Sequence, residues 1–76
     1  MLERPMMPRE ALSRALFRGG RIAARGPHHY RLRRGSRSTT IPMVGGHLPA
    51  SIVVRIQRDL DIDFRRSPHA ANKTAR

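Results

Sequence analysis

Apolar residues recur at helical spacing in two segments of this 76-residue chain, residues 8–17 and residues 49–60. In the first segment Leu12, Ala15 and Leu16 form a single stripe. The stripe of the second segment consists of Ile52, Val53, Ile56 and Leu60. Each segment begins with a proline, which is favoured in the first turn of a helix. The pattern therefore predicts one helix near each end of the chain.

Between these helices the apolar residues alternate with polar ones, as they do in strands. In residues 29–33, Tyr30 and Leu32 share one face, and the basic residues between them share the other. Residues 38–44 are rich in β-branched side chains and predict another strand. Residues 21–25 predict a weaker strand, because two consecutive alanines are poor strand formers. The predicted order is α-β-β-β-α.

This order predicts a two-layer α+β domain, in which both helices pack on one face of a three-stranded antiparallel sheet. We place the domain at residues 9–64, after a flexible N-terminal arm at residues 1–8. Residues 65–76 are polar and basic, and we predict that they form a disordered tail. The uncovered sheet face is predicted to carry His29, Arg31 and Arg33, together with Arg21 and Arg25.

The net charge of the chain indicates which kind of partner it binds. The chain has 16 basic residues, all but one of them arginine, against 5 acidic residues, and its net charge is +11. Such a charge predicts a polyanionic partner, with nucleic acid first, an acidic protein second and an anionic membrane third. Three aromatic residues, one Tyr and two Phe, are too few for a base-stacking platform. No apolar run is long enough to span a membrane, and we expect no membrane partner.

The residue types also exclude several kinds of site. Without cysteine the chain has neither a disulfide nor a thiolate metal site, which fits a cytoplasmic protein. Four histidines without clustered carboxylates predict no metal centre. The acidic positions at residues 59–63 lack the glycine and the closing glutamate of a calcium loop. We therefore expect no metal and no cofactor.

The stretch from Arg25 to Arg33 is the most informative for chemistry. It contains His28 and His29 between flanking arginines. Histidine exchanges a proton near neutral pH, and arginine binds phosphate through a two-pronged guanidinium. In extended backbone the two histidines would point to opposite faces, so they would not act as a pair on one phosphate. The residues alone leave two alternatives open, a single functional histidine or a basic surface that contains histidines.

The chain resembles the HicA toxin family, whose members are small proteins with a fold like that of double-stranded-RNA-binding domains. The similarity covers residues 9–64 and rests on four segments in order. They are the opening helix at 9–16, the Gly-Pro-His stretch within 25–30, Thr-Ile-Pro at 40–42, and the closing helix with its following aliphatic residue at 48–62.

The resemblance implies a metal-independent endoribonuclease that cleaves mRNA in the cytoplasm and is neutralised by a HicB-like antitoxin protein. The family's catalytic histidine corresponds to His28, which would act as a general base. We predict that RNA phosphates are bound by the basic residues around it, Arg25, His29, Arg31, Arg33, Arg34 and Arg37.

The sequence departs from the family pattern near the site. Pro27 stands where the family signature has Ser or Asp, and Val44 stands where a histidine is common. These departures support a second hypothesis, a non-catalytic nucleic-acid-binding module on the same scaffold. A third hypothesis is an interaction protein whose partner is acidic and which binds no RNA.

Overall fold

The computed structural model describes residues 1–65 and confirms the predicted α-β-β-β-α order and the α+β class. Residues 66–76, which contain nearly all of the predicted basic tail, lie outside the described residues. The elements are α1 (Pro8–Phe17), β1 (Arg21–Arg25), β2 (His29–Arg34), β3 (Arg37–Pro42) and α2 (Ala50–Leu60).

Both helices end in left-handed backbone. After α1, Gly19 has a φ of +99° and the N–H of Gly20 donates to the carbonyl of Ala15 at 2.9 Å. A Cβ on Gly20 would lie 2.9 Å from that same oxygen, so this close approach requires glycine. After α2, Asp61 has φ 55° and ψ 51°. Asp tolerates this left-handed region better than most residues do.

The three strands form an antiparallel sheet in the order β1-β2-β3. Gly35, at φ +61°, lies in the tight turn between β2 and β3. Strand β3 ends at Pro42, two residues earlier than predicted. The reason is that Pro42 pairs with His29, the first residue of β2, so that the partner strand extends no further.

The core lies between the helices and one face of the sheet. Leu32 and Ile41 enter it from the strands and are fully buried. The helices contribute Ala11, Ala15, Val53, Ile56 and Leu60. Beyond α2 the chain folds back and buries Phe64 to 1% exposure. Alternation along β2 therefore leaves the opposite face of the sheet to the basic residues.

The prediction of a flexible arm at residues 1–8 is wrong. Met6 is 1% exposed, and it exchanges backbone hydrogen bonds of 3.2 and 2.7 Å with Leu48. The buried side chain of Gln57 accepts the N–H of Leu2 at 2.9 Å and donates to its carbonyl at 2.7 Å. The N-terminal segment supplies an apolar side chain to the core and hydrogen-bond partners to α2, and these contacts fix its position.

Candidate nucleic-acid interface

The uncovered face of the sheet is a basic surface. We call it the arginine face and define it by Arg21, Arg31 and Arg33, with His29. Arg21 pairs with Arg33 across β1 and β2, so these two side chains share a face. All four residues are exposed, whereas Leu32, at the intervening position of β2, is fully buried. The structure thus brings together three of the predicted RNA-binding residues, His29, Arg31 and Arg33.

The charge of the arginine face is uncompensated. Within residues 1–65, its three arginines make no hydrogen bond or ion pair through their side chains. The three strands contain no carboxylate, and Asp59 of α2 reaches only the edge of this face, where it lines a concavity with Arg31. The acidic residues that do form ion pairs are Glu10, Asp59 and Asp63, which belong to the helices and to the segment after α2. Clustered guanidinium groups without acidic partners are typical of a surface that binds polyanions.

Arg34 and Arg37 do not belong to this face. They pair with each other across β2 and β3 on the side of the sheet that carries Leu32. Arg34 Nη1 donates to the carbonyl of Leu60 at 3.2 Å, and Arg37 Nη1 donates to that of Arg58 at 3.3 Å. Both cations therefore stabilise the negative carboxyl end of α2. The structure gives them a role in folding that the sequence prediction did not include.

Arg25 is displaced by a β-bulge. The register of β1 shifts between Ile22 and Ala24, so that Arg25 pairs with Tyr30 rather than lying opposite an arginine. Its guanidinium carbon lies 5.7 Å from the centroid of the Tyr30 ring. The prediction that Arg25 shares the open face with Arg21 is therefore wrong, because the extra residue reverses the alternation.

The turn before β2 holds the predicted catalytic residue. The N–H of Gly26 donates to the carbonyl of His29 at 2.7 Å, and the N–H of Met43 donates to the carbonyl of His28 at 2.8 Å. A Cβ on Gly26 would lie 3.1 Å from that His29 oxygen and 3.6 Å from two atoms of its ring. His28 is exposed and precedes β2, so strand alternation does not fix its direction.

A cleft of about 290 Å³ opens beside this turn, between the start of α1 and the end of β3. Its lining is equally polar and apolar and consists of Met7, Pro8, Arg9, Gly26, Pro27, Tyr30, Met43 and Val44. His28 is not part of this lining, but its backbone is adjacent, since it follows Pro27 and its carbonyl accepts the N–H of Met43. Arg9 is a cation at the cleft that the sequence prediction missed, because α1 is distant from His28 along the chain.

The remaining candidates for chemistry are His47, the His28 imidazole and a metal site. His47 is exposed in the loop before α2, and no described residue holds the imidazole of His28 in a hydrogen bond. Within residues 1–65, no three potential ligands cluster in a way that could hold a metal ion. None of the helices in this part of the chain is long and apolar enough to cross a membrane.

No family model matches the sequence, and no significant match was found among curated proteins or solved structures. The similarity to HicA toxins therefore rests on the residues given above and on the α-β-β-β-α order.

Proposed function

We propose that this protein binds RNA through the arginine face and cleaves mRNA with His28 as general base, in the manner of the HicA toxins that it resembles. The observation that carries the binding proposal is the concentration of Arg21, Arg31 and Arg33 on the open face of a sheet whose strands contain no carboxylate. This charge supports a polyanionic ligand in general. RNA in particular, and its cleavage, rest on the resemblance.

The proposed reaction needs only groups that the chain and the substrate supply. Neutral His28 removes the proton of a ribose 2′-hydroxyl, and the resulting oxygen attacks the adjacent phosphorus. A nearby guanidinium, such as that of Arg9 or Arg25, stabilises the charge that develops on the phosphorane oxygens. The bond to the 5′-oxygen then breaks, and water protonates the leaving oxygen. The products are a 2′,3′-cyclic phosphate and a 5′-hydroxyl end.

The resemblance extends this proposal to a cellular role. The protein would act in the cytoplasm as the toxin of a toxin–antitoxin pair, and a HicB-like protein would neutralise it. An antitoxin that covers the arginine face would need acidic residues of its own, because this face repels cations.

A second function is favoured by two observations at the turn. Within residues 1–65, nothing orients the His28 imidazole, whereas catalytic bases are usually held by a third group. The adjacent cleft carries Val44 where HicA toxins commonly have a histidine, and the apolar side chain cannot exchange a proton. Under this alternative, the protein binds RNA and does not cut it.

Substitution of His28 separates the two functions. In the presence of a metal chelator, the purified protein should cleave single-stranded RNA and leave 2′,3′-cyclic phosphate ends, which mass spectrometry detects. His28→Ala should slow cleavage by about 10²- to 10⁴-fold, the usual contribution of a general base, with little change in RNA affinity. His47→Ala removes another exposed histidine and should cleave at the normal rate.

Three results would change the conclusion. Cleavage that survives in folded His28→Ala contradicts the catalytic role of this residue. Binding by the unmodified protein without cleavage establishes the non-catalytic alternative. Absence of RNA affinity at moderate salt overturns both functions and favours an acidic protein partner.

A further inference from the structure

A second concave surface lies at the start of β1, beside the turn between β2 and β3. Its volume is about 460 Å³. We call it the arginine cleft and define it by the residues Gly19, Arg21, Ala23, Arg33, Arg34 and Gly35. Its lining contains three arginines and no acidic residue. In contrast, two concave surfaces elsewhere in residues 1–65 that are lined by several arginines also contain aspartates.

The three guanidinium groups of the arginine cleft are available to a ligand. Arg21 and Arg33 pair across β1 and β2, and neither forms a side-chain hydrogen bond or ion pair within residues 1–65. Arg34 is tethered through Nη1 alone, to the carbonyls of Leu60 at 3.2 Å and Asp61 at 3.5 Å. A guanidinium has five N–H donors, so most of those on Arg34 remain for a ligand.

Arg34 also lies beside the backbone that follows α1. A Cβ on Gly19 would lie 3.7 Å from Arg34 Nε, so the backbone after α1 flanks this side chain. A cation fixed between the ends of α1 and α2 loses less freedom when it binds an anion. Asp61 lines a different concavity together with Arg37 and Arg58, and its carboxylate forms no ion pair within residues 1–65.

We propose that the arginine cleft binds a phosphomonoester, the terminal phosphate of an RNA strand. A terminal phosphate carries about −1.5 to −2 charges at neutral pH, whereas an internal phosphodiester carries one. The unpaired guanidiniums of Arg21 and Arg33, with the remaining donors of Arg34, therefore favour the terminal group, whose oxygens match the arginine fork. The cleft adjoins the arginine face at Arg21 and Arg33, so a strand bound on that face can end here. This inference rests on the proposed RNA binding and adds recognition of a strand end.

The test compares three short single-stranded oligonucleotides of one sequence. They carry a 5′-phosphate, a 3′-phosphate or no terminal phosphate, and 2′-O-methyl groups prevent cleavage. Dissociation constants are measured by fluorescence anisotropy at fixed salt. We expect one phosphorylated oligonucleotide to bind about tenfold more tightly than the unphosphorylated one, as hydrogen bonds to a charged group would produce. The end that gives the gain identifies the strand polarity.

Equal affinity for all three oligonucleotides overturns the arginine cleft while leaving RNA binding intact. Failure of all three to bind overturns the proposed function itself, so the two failures are distinguishable.

A matched pair of variants locates the effect. Ala23→Glu places a carboxylate in the cleft lining, and Ala24→Glu places one beside it, opposite Arg31. Both positions are exposed, so both variants should fold, which circular dichroism checks. Ala23→Glu should abolish the tenfold preference. Ala24→Glu should weaken all three oligonucleotides alike and keep the preference. A preference that survives Ala23→Glu contradicts the assignment.

Discussion

The two faces of the sheet carry the same residue type with different surroundings. On the helix-covered face, Arg34 and Arg37 donate to the last carbonyls of α2. On the open face, Arg31 and Arg33 have no side-chain partner within residues 1–65. Arginine satisfied by helix carbonyls contributes to folding, whereas arginine left exposed and unpaired raises the positive potential at the surface. The position of an arginine along β2 thus decides which of the two roles it has.

The buried polar groups on the helix-covered side also have hydrogen-bond partners. Gln57 is fully buried, and its amide makes four hydrogen bonds. Their partners are the backbone groups of Leu2, Val53 and Phe64. No buried side-chain nitrogen or oxygen in the described part of the chain lacks a partner. Substitutions on this side should therefore change stability, and those on the arginine face should change binding.

The largest effect should come from Gln57→Leu. Leucine fills the space but leaves the buried N–H of Phe64 and both backbone groups of Leu2 without hydrogen-bond partners. Each buried group without a partner costs about 1–3 kcal/mol, and water can reach Leu2, so we expect a loss of about 3 kcal/mol. Urea unfolding followed by circular dichroism measures this change.

Ser51→Ala is the matched control for Gln57→Leu, since Ser51 is an exposed residue of the same helix. Its free energy of unfolding should change by less than about 0.5 kcal/mol. Equal stability of Gln57→Leu and the unmodified protein would show that the N-terminal segment does not depend on this hydrogen-bond network.

The fold could be predicted because the apolar residues of the helices follow helical spacing and those of the strands alternate with polar ones. Period-two alternation in β2 correctly placed Arg31 and Arg33 opposite Leu32. The same alternation would have put Arg34 on the helix side, since it is two residues from Leu32, and this signal was available in the sequence. Arg34 and Arg37 have the charge that binds phosphate, but Arg34 shares the side of Leu32 and Arg37 pairs with Arg34.

Other features depend on contacts between distant segments. The bulge that turns Arg25 toward Tyr30 is a property of the β1–β2 pairing, and its only local sign is the weak strand propensity of Ala23 and Ala24. The position of Met6 depends on Leu48, which follows the whole sheet in the chain. For His28, the sequence could predict its position next to a turn but not the direction of its side chain.

Two substitutions, each of which removes one arginine from one face of the sheet, test whether the two faces have different roles. Arg37→Gln removes a cation from the carboxyl end of α2 and should cost about 1 kcal/mol in the free energy of unfolding. Arg31→Gln removes a cation from the arginine face and should leave stability within about 0.5 kcal/mol. The measurement is urea unfolding at low salt.

The same two variants should behave in the opposite way in RNA binding. Arg31→Gln should make the slope of log affinity against log salt less steep by about one, as loss of one phosphate contact does. Arg37→Gln should keep the slope of the unmodified protein. Identical slopes for the two variants would mean that both faces contribute equally to binding, and the distinction between them would fail.

The smallest effect concerns Asp63, a carboxylate compensated on the helix side. Hydrogen bonds from Arg65, aided by the N-terminal amine at 3.1 Å, hold the pKa of Asp63 well below its ordinary range. A carboxyl group whose pKa is lower in the folded state stabilises the protein above its unfolded pKa of about 4, and this stabilisation disappears as the pH falls further. Because Arg65 is largely exposed, solvent screens the pair and the contribution is small.

Asp63→Asn should therefore lower stability slightly at neutral pH and flatten its decline between about pH 5 and pH 2, measured by thermal unfolding at low salt. Asp61→Asn is the matched control, since this exposed carboxylate makes no ion pair within residues 1–65 and asparagine tolerates the same left-handed backbone. It should follow the pH dependence of the unmodified protein. If Asp63→Asn follows that curve as well, the ion pairs around Asp63 do not stabilise the fold, and compensation on the helix side is then limited to the arginines at the end of α2 and the amide of Gln57.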